Sequence, residues 1–521
     1  MTISEVEGDF HELPIESDGL PDGWILACLS DVANTRLGKT PRKSDYRDNG
    51  IHRIVKFRDI TGKGINYSQS KAAYVANNSS ALKGLRPLSI GDVLVTASAH
   101  SGDQIGKKCA CVETLPEVKG GVYFVGELLG ITSDSRIMHS KWPYYWFLSE
   151  NGFKTVQAAV AGVHLTSGRA QNIPIPVAPL DEQNRIIQRL DALLRSLTAA
   201  HDHLVKVPLV LKRFRQAVLA AACSGRLTAD WREKNLDVEL ATRLLSRIQQ
   251  GRKKPKKSHI NRAYGEENIY FDIPDSWSFC FFEDICSNKP HGIKAGPFGS
   301  SLTKSCYSSS GYKIYGQEQV IRGDVNYGDY YVDEKKFLEL KSCEVEARDL
   351  LISLVGTIGK VLIIPGRFEK GIINPRLVKV SLHSEISPEY IAKYLSSPLA
   401  INIFKRDSHG GTMEILNLKM LKGLPIPLPP VIEQHEIVRR VESMFKLADV
   451  VEKRVARATG EAEKLTQAIL AKAFRGELVP TEAELARRDG RVYETASELL
   501  ARIKSQRDAK QVSQKVRRNR S

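Results

Sequence analysis

Residues 182–221 read EQNRIIQRLDALLRSLTAAHDHLVKVPLVLKRFRQAVLAA, and residues 433–472 read EQHEIVRRVESMFKLADVVEKRVARATGEAEKLTQAILAK. In the first stretch Ile186, Leu190, Leu193, Leu197, Ala200, Leu204, Val207, Leu211, Phe214, Val218 and Ala221 follow one another in alternating steps of four and three. Adding 251 to the first ten gives Ile437, Val441, Met444, Ala448, Val451, Val455, Ala458, Ala462, Leu465 and Ile469, a second seam in register with the first. A 3.5-residue apolar repeat held over about five heptads predicts a coiled-coil seam rather than a plain amphipathic surface helix. At 1.5 Å per residue each helix runs about 50 Å. Pro208 removes a helical N–H yet leaves the seam in phase, so a kink or a restart in register is expected there. Gly225 and Gly476 stand where a helix C-terminus needs them.

The offset extends beyond the seams. Leu20-Pro21-Asp22-Gly23-Trp24 recurs as Ile273-Pro274-Asp275-Ser276-Trp277, Ile173-Pro174-Ile175-Pro176 as Leu424-Pro425-Ile426-Pro427, and Glu182-Gln183 as Glu433-Gln434. A period of about 250 residues is too long for a solenoid and means two copies of one domain-sized unit. Two long helices with one seam each pack most simply against each other, antiparallel, giving a pseudo-two-fold rod with an α/β domain at either end. The competing arrangement turns each stripe onto its own domain.

The part of each copy before its seam reads differently. In the first copy, Ile51 to Ile60, Asp92-Val93-Leu94-Val95 and Leu128-Leu129-Gly130 are short apolar runs bounded by turns, which predicts strands. Trp142 to Gln157 has helical spacing. The second copy offers Gly311 to Val325 and Leu350 to Val355 as strands and Pro388 to Phe404 as the helix. Ile54, Ile60, Ile65, Asn66 and Tyr67 echo Ile314, Val320, Val325, Asn326 and Tyr327, and Ile105-Gly106-Lys107 echoes Ile358-Gly359-Lys360. The fold class is therefore mixed α+β: two α/β domains alternate with two long helices that pair as an antiparallel coiled coil.

At 521 residues, 42% hydrophobic and 26% charged, the body is that of an ordinary globular protein with several cores. No apolar run approaches the roughly 18 residues of a membrane span. The acidic start, MTISEVEGDFHELPIESDG, lacks the apolar centre of a secretory signal. Eight scattered cysteines suit a reducing compartment, so a cytoplasmic location is expected. The net charge of +16 points to a polyanionic partner, but it is concentrated: Gly251 to Tyr264 and Lys504 to Ser521 carry +6 each, leaving +4 for the rest. Both segments also read as solvated basic linkers.

No catalytic constellation emerges. A P-loop needs four residues between its Gly and the Gly-Lys pair; Gly102 to Gly106-Lys107 has three and Gly356 to Gly359-Lys360 has two, so both read as turns between strands. Adenine methyltransferases use an Asn/Asp-Pro-Pro-aromatic string, which Asn374-Pro375-Arg376 does not supply. Cys109-Ala110-Cys111 and His201-Asp202-His203 lack a second pair at zinc spacing. Glu334-Lys335-Lys336 has no partner Pro-Asp for a nuclease site. No catalytic, cofactor-binding or metal-binding residue is assigned, and the chain is not expected to be an enzyme by itself.

The two helical regions carry a resemblance. Leu211-Lys212-Arg213-Phe214-Arg215-Gln216-Ala217-Val218-Leu219 with Ser224-Gly225-Arg226-Leu227-Thr228 and Trp231-Arg232, and again Leu428-Pro429-Pro430-Val431 with Glu433-Gln434 and Ile469-Leu470-Ala471-Lys472-Ala473-Phe474-Arg475-Gly476-Glu477-Leu478, resemble the specificity subunit of type I restriction–modification enzymes. The likeness covers nearly the whole chain; Val177-Ala178-Pro179-Leu180-Asp181 departs from the more usual Pro-Pro before Glu-Gln. It implies an N-terminal extension (1–20), a target-recognition domain (21–172), a helical spacer (173–250), a basic linker (251–272), a second recognition domain (273–423), a second spacer (424–503) and a basic disordered tail (504–521). It further implies that each recognition domain reads one half of an interrupted, asymmetric site on double-stranded DNA. The helices then set the spacing and dock two modification subunits, which methylate adenine N6, and restriction (translocase-nuclease) subunits complete the defence against foreign DNA. S-adenosylmethionine, ATP and Mg2+ are then used on those other subunits, with no cofactor on this chain and no membrane partner.

Polar clusters at strand ends are the places to expect DNA: Lys39, Arg42, Lys43, Arg47, Lys56 and Arg58 in the first domain, and Lys294, Ser300, Ser301, Lys304, Gln317 and Arg322 in the second. Arg and Gln suit bidentate contacts to base edges, whereas Lys mostly holds phosphate. The Gly296-Pro297-Phe298-Gly299 turn offers a close backbone approach to the duplex. A stand-alone duplicated DNA-binding protein shares the charge but has no need of matched rods with flanking Glu-Gln. An adaptor outside a restriction system shares the rods but has no need of two diverged α/β domains.

Overall fold

The computed structural model describes residues 19–518 apart from 63, 69–71, 76, 78–81, 251–270, 299, 355–358 and 408–415, with backbone alone from 510. The expected basic linker and N-terminal extension thus lie almost wholly outside the described residues. The chain forms two compact units, Met1–Val205 with Arg457–Ser521, and Lys206–Ala456. Neither unit is one sequence copy. Each combines an α/β domain, the first part of the helix that follows it and the last part of the helix from the other copy. No helix among the described residues is long and apolar enough to cross a membrane.

The two α/β domains have the same topology. In the first unit strands Ala33–Leu37, Leu128–Ser133, Val93–Thr96 and Cys109–Cys111 lie in that order; in the second, Ile293–Ala295, Leu377–Val380, Leu350–Ser353 and Val361–Ile363 do. All their pairings are antiparallel. A second sheet in each unit contains one parallel pair, His52–Val55 with Val122–Phe124 and Tyr312–Tyr315 with Gly371–Ile373. The central strands Val93–Thr96 and Leu350–Ser353 are buried along their whole length, as sheets covered on both faces require. A two-stranded ribbon joins Ile25–Cys28 to Pro174–Val177, and its twin joins Ser278–Phe281 to Pro425–Leu428. The Ile-Pro-Ile-Pro and Leu-Pro-Ile-Pro marks are therefore the closing strands of the α/β domains rather than the start of the helical spacers. Proline is tolerated there because a two-stranded ribbon leaves one side of each strand unpaired.

The long helices run Leu180–Cys223 and Val431–Phe474. Helical bonding continues through Pro208 with no restart. Within each unit they lie antiparallel. In the first, Arg185 reaches the Pro480 carbonyl and Ile186 and Leu190 share a core with Ile469 and Phe474. In the second, Arg215 pairs with Asp449 at 2.6 Å and Glu452 at 2.8 Å, while Arg440 pairs with Asp230 at 2.6 Å. The seam is buried at Ile186, Leu190, Leu211, Val218, Ile437, Val441 and Ile469 and half-buried at Leu193, Leu197, Leu204, Met444, Val451 and Val455. Phe214 and its counterpart Leu465 remain 37% and 49% exposed. The helices end as expected, with Gly225 and Gly476 left-handed at φ 76° and 71°; a Cβ on either would overlap the ring of Pro274 or come within 2.6 Å of Pro21.

That proximity belongs to a latch made twice from the recurring marks. Trp24 donates to Glu182 at 2.9 Å, whose other oxygen accepts the backbone N–H of Glu482 at 2.7 Å. Trp277 donates to Glu433 at 2.8 Å, which also accepts Thr228 at 2.7 Å and Arg232 at 2.5 Å. The neighbouring Gln183 and Gln434 bond backbone groups at 137–139 and at 178, and at 387 and 429. All four Glu and Gln side chains are buried, where a polar group left unpaired costs about 1–3 kcal/mol. Each latch binds the domain opening, the helix start and the segment that follows the other helix.

Four expectations need correction. The helix read over Trp142–Gln157 is two, Trp142–Leu148 and Glu150–Ala158, because the Ser149 hydroxyl caps the second from Gly152 N at 3.1 Å. Pro388–Phe404 likewise splits into Pro388–Leu395 and Pro398–Asp407. Gly311–Val325 is a strand only from Tyr312 to Tyr315 and then a helix, Gln317–Arg322, which starts where the Gln319 side chain accepts the Gly316 N–H at 2.9 Å. The tail expected to be disordered from 504 is the second half of a helix, Ala496–Arg518. Leu499, Leu500 and Ile503 bury that helix in the first unit's core, and Lys504–Asp31 at 2.8 Å and Arg507–Asp134 at 2.6 Å pin it.

Candidate nucleic-acid interface

In both units three chain segments converge at the carboxyl ends of the parallel strand pair, the place where α/β sheets most often present ligand-binding loops. In the first unit the chain leaving Leu37 crosses the second strand so closely that a Cβ at Gly38 would overlap the Val125 carbonyl. Gly38 N then bonds Leu128 O at 3.0 Å, Lys39 N bonds Phe124 O at 3.1 Å and Val125 N bonds Val55 O at 3.1 Å. The second unit repeats this with Gly296, whose Cβ would overlap the Asn374 carbonyl. There Gly296 N bonds Leu377 O at 2.9 Å and Asn374 N bonds Tyr315 O at 2.8 Å.

A buried side chain fixes the loop after the first parallel strand. Asp59 accepts Lys56 N at 2.9 Å and pairs with Arg53 at 3.3 Å, both side chains 1% exposed. Its counterpart Gln319 accepts Gly316 N at 2.9 Å and donates to Tyr327 O at 2.8 Å. Lys313 stands where Arg53 does and pairs with Glu369 at 2.6 Å. The echo of Ile54–Tyr67 in Ile314–Tyr327 thus reflects one loop frame built twice.

On the first frame the expected residues come together. Lys56 lies 3.9 Å over the Tyr46 ring, which ties the Lys56–Arg58 turn to the segment carrying Arg42, Lys43 and Arg47. Arg47 donates to Ser44 O and Tyr46 O, both at 2.7 Å, and Lys39 to Lys83 O at 2.7 Å. Burial, then the neighbouring Arg58, pulls the Lys56 ammonium below its usual range, as expected of a crowded cationic cluster that an anion relieves. Lys108, 4.1 Å over the Phe57 ring, and Tyr46 belong to the same edge and were not expected there; both lie outside the basic runs by which the others were recognised.

The second frame gathers fewer. Lys304 lies on an exposed turn, Lys304–Cys306. Ser300 and Ser301 follow Phe298, whose carbonyl accepts Ser301 N at 2.8 Å. Arg322 is exposed and packs 4.1 Å over the Tyr327 ring. Gln317 is spent inward, donating to Ser353 at 2.9 Å. Lys294 lies within the edge strand, paired in register with Lys379 and two residues before the crossing glycine Gly296. Arg376 was missed. It lies in the Asn374-Pro375-Arg376 link, is exposed, and occupies the position that Glu127 holds in the first unit, each preceding the leucine that bonds the crossing glycine. Phe298, 89% exposed, stands where the first unit has Thr40, two residues past the crossing glycine.

The strings discounted as catalytic are structural. Gly106 and Gly359 take left-handed turns, at φ 81° and 86°, between the strands Val93–Thr96 and Cys109–Cys111 and between Leu350–Ser353 and Val361–Ile363. Cys109 and Cys111 lie in a buried strand, and burial pushes the Cys111 thiol up to about 11. No group of three or more metal-ligating side chains occurs among the described residues.

The sequence profile described as "Type I restriction modification DNA specificity domain" matches residues 21–206 and 298–457, well over half of the chain. The chain is 29% identical over 478 residues to the specificity subunit of type I restriction enzyme EcoBI of Escherichia coli, covering 88% of this chain and 86% of that one. It is 28% identical over 476 residues to the EcoKI specificity subunit of Escherichia coli K12, covering 88% and 90%. Among solved structures, a chain from a study of complex assembly and conformational transition of the type I R-M system superposes with a TM-score of 0.58 at 17% identity, over 89% of this chain and all of that one. Two α/β domains of one topology, two antiparallel helices and the matching profile agree, and the chain belongs to the family of type I restriction–modification specificity subunits.

Proposed function

We propose that each α/β domain reads one half of an interrupted, asymmetric site on double-stranded DNA through the three loops described above, with the paired helices setting the distance between halves. The observation that carries this is chemical divergence on a duplicated frame. Where the backbone bonds match, the first unit presents Thr40, Lys56 and Glu127, and the second presents Phe298, Gly316 and Arg376. Glutamate suits the cytosine amino group and arginine the guanine O6/N7 edge, so exchanging one for the other changes which base is favoured. Lys39, Arg42, Lys43 and Arg47, and Lys304 in the second unit, hold phosphates and set register; Arg58 and Arg322 reach base edges. In this reading the chain performs no chemistry. Two modification subunits dock on the helices and transfer a methyl group from S-adenosylmethionine to adenine N6, and restriction subunits add ATP- and Mg2+-dependent translocation and cleavage in the cytoplasm.

The test is domain exchange in the assembled complex. The Ile25–Cys28/Pro174–Val177 ribbon should stay intact, so residues 29–172 are replaced by those of a relative with a different site. Methylation sequencing then shows one half of the recognised sequence changed and the other retained. A change in both halves, or in neither, refutes the division of labour.

A further inference from the structure

The crossing segment of the second unit presents a side chain that the fold does not use. Pro297 and Leu302 are buried, and Ser301 N bonds Phe298 O at 2.8 Å, so the flanking chain is anchored. The Phe298 side chain itself is 89% exposed; among the described phenylalanines only Phe214 is otherwise exposed, at 37%. Burying an aromatic ring is a large stabilising term, and here that term is left unclaimed within the unit.

The same position has a different task in the first unit. Thr40 donates to Glu127 at 3.2 Å and accepts the Gly126 N–H at 3.0 Å, which holds a carboxylate on the reading edge. Phe298 has no group with which to hold Arg376, the residue in the place of Glu127. Arg376 N instead bonds Asn374 Oδ1 at 2.9 Å. Asn374 in turn lies against both glycines of the frame: a Cβ at Gly296 would overlap its carbonyl, and one at Gly316 would come within 2.8 Å of its Nδ2. Ser300, Lys304 and Arg376, which accompany Phe298 on this edge, are exposed. The ring is thus an apolar group on an edge otherwise suited to a polyanion.

We propose that Phe298 reads a thymine by packing on its 5-methyl group in the major groove; the inference rests on the function proposed above and assigns one specificity-determining contact within it. A phenyl ring makes no hydrogen bond to a base edge, so the donors and acceptors of the groove do not select its place. The thymine methyl is the apolar group that the major groove exposes. A wedge between base pairs is the other use of an exposed apolar side chain on DNA, but it belongs to the minor groove. Arg376, from the same convergence of loops, suits the guanine O6/N7 edge of the major groove.

The intact chain is assembled with its modification subunits and its site is determined by methylation sequencing. Each thymine in the half-site retained on exchanging residues 29–172 is then replaced in turn by uracil, which lacks only the methyl. Competition binding should show one uracil that weakens wild type about fourfold, the factor given by burying one methyl carbon. Phe298→Ala should bind that thymine duplex and its uracil counterpart alike. It should melt as wild type does, since the ring already faces water, and keep the sequence of the other half-site. A half-site without thymine on either strand, wild-type binding indifferent to every uracil, or discrimination that survives Phe298→Ala overturns the proposal and leaves the DNA-reading function standing. Loss of DNA bending in Phe298→Ala, followed by fluorescence transfer across the site and without any uracil effect, also overturns it by assigning the ring to a base step. A wild-type complex with no sequence preference overturns this proposal and the proposed function together.

Discussion

Replacing Glu433 by Gln asks whether the buried carboxylate, rather than the helix pair alone, fastens the second unit. Glu433 accepts from Trp277, Thr228 and Arg232 at 2.8, 2.7 and 2.5 Å. A carboxamide keeps one acceptor oxygen and turns an NH2 toward the remaining donors. Breaking a buried charge pair costs about 3–5 kcal/mol. The Arg232 side chain is 20% exposed, so water relieves part of its stranded charge, and about 3 kcal/mol is the working figure. The twin substitution Glu182→Gln meets only Trp24 and the Glu482 N–H. Burial already pushes the Glu182 carboxyl above its usual range, so a neutral side chain recovers some desolvation and the net loss is about 1 kcal/mol. At about 2–4 °C per kcal/mol for units of this size, calorimetry should show about 6–12 °C lost for Glu433→Gln and about 2–4 °C for Glu182→Gln. Equal shifts, or a larger one for Glu182→Gln, would refute the role assigned to Arg232.

Three further outcomes are expected. Asp134 is held well below the usual carboxylate range, first by Arg136 and then by Arg507; its stabilising effect is therefore present above the ordinary carboxylate range and lost as pH falls through the depressed value, and Arg507→Met should flatten the acid limb of a stability-versus-pH curve. Deleting residues from Lys504 onward should lower the melting temperature of the first unit, because it removes the Lys504 and Arg507 ion pairs as well as positive charge. Lys43→Ala with Arg47→Ala should reduce the slope of log affinity against log salt by about 0.9 for each phosphate no longer neutralised, and methylation sequencing should show both halves of the recognised site unchanged.

The seams were legible because a repeat of 3.5 residues survives any amount of surface drift, and their antiparallel pairing followed from having two of them. Their uneven burial was not, since Phe214 and Leu465 have the apolar character of core positions yet remain 37% and 49% exposed. Glu182-Gln183 and Glu433-Gln434 could be read as recurring marks but not as latches, because the partners lie far off in sequence, 158 residues away for Trp24 and 300 for Glu482. The helix breaks at Ser149 and Ser396–Ser397 were hidden because apolar spacing runs on across them while a hydroxyl re-caps the chain. The tail was read from its charge alone, whereas the stripe that docks its helix, Leu499, Leu500 and Ile503, lies just before Lys504. Arg376 was passed over because its string was weighed as a catalytic motif and not as the link between two strands.

The latches also explain why the duplication is retained whole. In each unit the buried glutamate is supplied by the helix that follows the α/β domain, while Glu482 in one case and Thr228 with Arg232 in the other come from beyond the opposite helix. The core behaves the same way: Leu470, Ala473 and Phe474 pack with Trp142 and Trp146, and Leu219, Ala222 and Cys223 pack with Tyr390 and Tyr394. Neither domain is finished by its own copy. A chain cut to residues 1–250 lacks Phe474 and Glu482 but still holds Cys223, Thr228 and Arg232, the equivalents from its own copy. Its lowest-energy course is to pair with a second molecule, each half finishing the other through an isologous two-fold contact. Glu182 would then receive Thr228 and Arg232 as Glu433 does in the intact chain. Sedimentation at micromolar concentration should find a dimer, and Arg232→Leu should weaken it. A folded monomer would mean that the α/β domain needs no completion from beyond the helix.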